Sequence, residues 1–80
     1  MSPARKEPDT GTYSGRFAVR LRKLREKAGL TPQEVADALG VDLSAVYHWE
    51  SGRSAPTIAN LPNIAEVLKL KKTRDLFPNE

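Results

Sequence analysis

Eighty residues allow one domain with a modest core, and without cysteine neither disulfides nor thiolate metal sites can brace it. A net charge of +3 favours a polyanionic partner, because clustered Lys and Arg release counterions from nucleic acid. The single His48 and the lack of a glycine-rich phosphate loop or a paired-carboxylate cleft argue against an enzyme, a metal site or a cofactor. The apolar runs are too short for a membrane span or a signal-peptide core, so the chain reads as a soluble cytoplasmic protein.

Residues 1–14, MSPARKEPDTGTYS, contain two prolines and almost nothing apolar, which predicts a flexible N-terminal arm ahead of a domain over 15–80. Arg5 and Lys6 are nearly cancelled there by Glu7 and Asp9. From Gly15 the pattern changes. Phe17, Leu21, Leu24 and Ala28 recur at helical spacing and predict an amphipathic first helix closed by Gly29. Its other faces carry Arg16, Arg20, Arg22, Lys23, Arg25 and Lys27 against Glu26 alone.

The stretch 31-TPQE-34 specifies a helix start: Thr31 caps, Pro32 suits the first helical position and Glu34 reaches back to complete a capping box. Val35, Ala36, Ala38 and Leu39 form the apolar side of this second helix, and Gly40 turns the chain. Asp42 is expected to cap a third helix in which Val46 and Trp49 point inward. Leu43, Ser44, Tyr47 and His48 lie on its other faces, and Ser51 and Gly52 stop it. A fourth helix is expected from Leu61, with Asn60 as cap, Pro62 in the first turn, and Leu61, Ile64, Ala65 and Leu68 in the core. In the tail, Leu70, Leu76 and Phe77 are expected as late core or interface residues, and Pro78 ends the last turn. The expected fold is all-α, a compact bundle of about five short helices.

Two short helices joined by a tight glycine turn, here the second and third, form a helix-turn-helix, with a packed helical hairpin as the rival that spacing alone leaves open. Ala36 is small where they cross, Gly40 makes the turn and Val46 fills the space beneath. The motif itself is acidic: residues 31–50 carry Glu34, Asp37, Asp42 and Glu50 and no Lys or Arg. Positive potential has to come from the first helix, Arg53 and the tail.

Taken together, 21-LRKLREKAGLT-31, 34-EVADALGV-41 and 49-WESGRSAP-56 resemble the Cro and phage-repressor type of helix-turn-helix, the Xre family, over about Phe17 to Phe77. The resemblance implies a lambda-repressor-like DNA-binding domain whose second motif helix enters the major groove of double-stranded DNA. It also implies that Arg25 pairs with Glu50 inside the fold, and that Trp49 sits in the core or at its edge. Base-edge contacts then fall to Leu43, Ser44 and His48, with Tyr47 beside them. Ser44 donates or accepts, His48 donates to guanine acceptors and Leu43 packs on a thymine methyl. Phosphate contacts fall to Gln33, Arg53, Arg16, Arg20 and Lys23. Two positions depart from the family pattern, Pro32 where glutamine is frequent and Asp42 where Ser or Thr is common.

The function implied is a sequence-specific transcriptional regulator, a repressor, acting as a homodimer on a palindromic operator because one copy covers few base pairs. The fourth helix, a fifth or the tail would supply the dimer interface, with Leu70, Leu76 and Phe77 as candidates. A reading from another class is a protein-interaction module on the same scaffold, such as an antitoxin or a regulator's partner, which the acidic motif and Pro32 favour.

Overall fold

Each helix starts and stops where nearby groups satisfy backbone amides and carbonyls that the helix itself leaves over. A computed structural model describes residues 11–77. In chain order it comprises α1 (Tyr13–Lys27), α2 (Pro32–Leu39), α3 (Leu43–Ser51) and α4 (Leu61–Val67), with short 3-10 turns at Ile58–Asn60 and Thr73–Leu76. The expected fifth helix is therefore a 3-10 turn, and no strand occurs among the described residues. The arm residues Arg5, Lys6, Glu7 and Asp9, and Pro78, lie outside the described residues.

The first helix begins at Tyr13 rather than Gly15, because Thr12 is its cap and its hydroxyl accepts from the Gly15 amide at 3.0 Å. At α2 the capping box is complete: the Glu34 amide donates to the Thr31 hydroxyl at 3.1 Å, and the Thr31 amide donates to the Glu34 carboxylate at 2.8 Å. Asp42 and Asn60 differ from expectation. Both occupy cap positions, yet neither side chain makes a capping hydrogen bond. Only the backbone carbonyl of Asp42 contributes at α3, accepting from the Ala45 amide at 3.0 Å.

The ends of α1, α2 and α4 share one hydrogen-bond pattern. After α2, Gly40 turns left-handed at φ 71°, its amide donates to the Asp37 carbonyl at 3.3 Å, and the Val41 amide donates to the Ala36 carbonyl at 3.0 Å. The same pair of bonds ends α4, from Lys69 to Glu66 at 3.0 Å and from Leu70 to Ala65 at 2.8 Å. There the left-handed residue is Lys69, at φ 63°.

The core joins Phe17 and Leu21 of α1, Val35 and Ala36 of α2, Val46 and Trp49 of α3, Ile64 and Ala65 of α4, and Leu68 and Leu76 beyond it. Ala18, not expected inside, is also fully buried, whereas Ala38 is exposed and Leu39 alone extends the apolar side of α2. Leu76 has no exposed surface and so belongs to the core of its own chain rather than to an interface. Phe77 is half-buried and packs its ring 5.5 Å from that of Phe17, and Leu70 is half-buried against the core. Because α3 packs on both α1 and α2, its inward side is covered and one side remains open.

Candidate nucleic-acid interface

Helical periodicity divides α3 into two sides. Val46, Trp49 and Glu50 are buried, while Ser44 and Tyr47 are exposed and Leu43 and His48 are half-buried at the edges of the outward face. The structure thus brings Leu43, Ser44, Tyr47 and His48 to one helix whose opposite side is anchored in the core.

The anchor is ionic as well as apolar. Arg25 Nε donates to Glu50 Oε2 at 2.6 Å and Nη2 donates to Glu50 Oε1 at 3.1 Å, a two-point pairing of a planar guanidinium with a carboxylate. Its Nη1 donates to the Leu30 carbonyl at 2.8 Å. One side chain therefore ties the last turn of α1 to the α1–α2 connection and to the end of α3. The hydrogen bond with Glu50 raises the Arg25 pKa above its ordinary value, against the opposing effect of burial. With Glu50 only 3% exposed, its charge is directed into the fold and not toward a ligand.

The expected phosphate contacts are placed unequally. Arg53 is exposed, and its amide donates to the His48 carbonyl at 3.0 Å, which holds it just beyond the end of α3. Arg16 lies with its guanidinium carbon 5.6 Å from the centre of the Tyr13 ring. Tyr13 and Arg53 line one groove of about 330 Å³ together with Phe17, Pro56, Leu61 and Phe77, so the start of α1 and the segment after α3 meet there. Lys23 is exposed on α1. Arg20 is engaged elsewhere: Nε and Nη2 donate to the Asp75 carbonyl at 3.3 and 3.0 Å, holding the last 3-10 turn against α1. Gln33 donates from Nε2 to Asp37 Oδ1 at 2.8 Å.

At the start of α2, Pro32 has no N–H, the Glu34 amide is taken by Thr31, and the Glu34 carboxylate occupies the positive end of the helix dipole. The anion site usual at such an end is filled from within. Sequence reasoning missed Ile58, an apolar residue 84% exposed in the turn before α4. The lone isoleucine in a polar loop was its only signal. Among the described residues no group of three or more His, Asp or Glu could hold a metal ion, and no helix is long and apolar enough to cross a membrane.

Comparison with known proteins identifies this arrangement. The helix-turn-helix family (HTH_3) matches residues 21–76. A transcriptional regulator of the HTH type from Methanothermobacter thermautotrophicus is 32% identical over 57 residues, covering 71% of this chain and 83% of that protein. The cryptic phage CTXphi transcriptional repressor RstR of Vibrio cholerae is 35% identical over 51 residues, 64% of this chain but only 46% of RstR. Among solved structures, the restriction-modification controller protein C.AhdI from Aeromonas hydrophila superposes with a TM-score of 0.72 at 34% identity, over 78% of this chain and 92% of C.AhdI. With α2, the Gly40 turn and α3 in the middle of the matched span, the chain belongs to the helix-turn-helix family of transcriptional regulators, of the Cro and phage-repressor (Xre) type.

Proposed function

We propose that this chain represses transcription by docking α3 in the major groove of duplex DNA, as a homodimer on a palindromic operator. The observation that carries the proposal is the division of α3: its buried side is fixed by Trp49 and the Arg25–Glu50 pair, and its outward side offers Leu43, Ser44, Tyr47 and His48. Arg53 just beyond α3 and Arg16 and Lys23 on α1 supply the phosphate contacts that an acidic motif cannot. Arg20 and Gln33 contribute less, because Arg20 is held on the Asp75 carbonyl of the last 3-10 turn and Gln33 on the Asp37 carboxylate. The repressor role has support from RstR and the regulatory role from C.AhdI, each similar over most of this helical unit.

No catalytic step is assigned to the chain, which acts in the cytoplasm through occupancy of DNA. With Leu76 inside the core, dimer contact shifts toward Ile58, the most exposed large apolar side chain among the described residues. Selecting bound sequences from a random duplex pool tests the proposal. Enrichment of a palindrome whose half-sites lie about one helical turn apart is expected. Enrichment of no sequence would overturn it.

A second reading, a protein-interaction module on the same scaffold, is favoured by the exposed acids Glu34, Asp37 and Asp42 on α2 and its turn. It predicts no duplex binding even at low salt.

A further inference from the structure

The four acids of the motif differ in what they do. Glu50 is held by Arg25, Glu34 accepts from the Thr31 amide, and Asp37 accepts from Gln33. Asp42 is the exception: its side chain is exposed and takes part in no capping bond and in no ion pair or side-chain hydrogen bond with the described residues. It stands at the N-terminal edge of α3, two positions before the exposed Ser44. In a helix docked by its N-terminal residues, that edge is the part nearest the base pairs.

A carboxylate is only an acceptor, so most major-groove edges repel it. Guanine shows N7 and O6, thymine shows O4, and adenine sets its amino donor beside the N7 acceptor. Cytosine alone presents an amino donor with no acceptor of its own beside it in that groove. We propose that Asp42 is a specificity-determining residue that accepts a hydrogen bond from the N4 amino group of a cytosine, a proposal that rests on the DNA-reading role of α3. The carboxylate also penalises sites lacking cytosine there, where it would face acceptors without a donor.

Titration of the enriched duplex and of its single-base variants with wild type, Asp42→Ser and Asp42→Asn tests this. Wild type is expected to favour C·G at one position of each half-site by about tenfold or more. Asp42→Ser should reduce that preference to about threefold or less, and Asp42→Asn should move it toward A·T, because an amide pairs with adenine N6 and N7. If both variants bind every sequence more tightly by one common factor and leave each base preference in place, the carboxylate is merely repulsive. The proposal then fails while DNA reading by α3 stands. If wild type binds no duplex at low salt, DNA reading fails and takes the proposal with it.

Discussion

Arg25 concentrates the energetics of the site in one side chain. Removing it leaves Glu50 buried without its counter-ion, and breaking a buried pair from one side costs about 3 to 5 kcal/mol. Arg25→Ala should therefore unfold at much lower denaturant, whereas Arg25→Met with Glu50→Leu should recover most of the loss because no buried charge remains. Equal destabilisation in the single and double variants would contradict this. Since the Arg25 pKa is raised, its contribution is complete below the ordinary arginine value and is lost only as pH rises through the raised one. Arg25 thus adds no pH dependence to stability near neutrality. Spacing alone did not disclose the pair, whose members are 25 positions apart; the resemblance to Xre proteins implied it, and the structure supplies the Leu30 contact besides. For Asp42 the sequence indicated a good capping residue type, but whether a carboxylate turns back to its own helix depends on a side-chain torsion that residue type does not set. Arg20 looked like one more surface cation because its acceptor, the Asp75 carbonyl, lies 55 positions along the chain.

Helix termini govern the geometry between α2 and α3, and they respond to single substitutions. A Cβ at Gly40 would meet nothing within 4 Å, so Gly40→Ala is penalised by its left-handed backbone and not by crowding. The expected loss is about 1 kcal/mol. Lys69 already bears that penalty at the equivalent position after α4, so Lys69→Gly should raise stability by up to about 1 kcal/mol in thermal or denaturant unfolding. A loss on Lys69→Gly would mean that its side chain supports the fold in some other way. Capping boxes and terminal glycines were legible because donor, acceptor and residue type lie within a few positions of one another. The left-handed Lys69 was not, since nothing about a lysine signals that conformation. The tail stayed open between two readings for a related reason: a 3-10 turn of four residues is too short to show a period, so Leu76 could be read as core or interface until packing placed it in the core.

At the scale of the molecule, a small helical domain holds α3 from behind, and on the proposed reading a few arginines and lysines around an acidic motif meet DNA. Periodicity left the second and third helices open between a helix-turn-helix and a packed hairpin until the resemblance to Xre proteins was added, but the all-α class could be read from it, because the apolar stripe of each helix is also its buried side. The exposed Ile58 could not, as exposure belongs to the packed whole. If it mediates dimerisation, Ile58→Ser should leave the melting temperature at matched low concentration unchanged and shift sedimentation toward the monomer. An unchanged dimer would place the interface elsewhere.

The central claim is that this domain binds duplex DNA through phosphates around α3. Affinity for the selected operator, measured between about 50 and 200 mM salt, should fall steeply, with log K linear in log salt at a slope of about −0.9 per phosphate contact. Arg53→Ala should make that slope shallower by about one contact and weaken all sequences alike. Absence of binding at the lowest salt, or a slope near zero, would contradict the account.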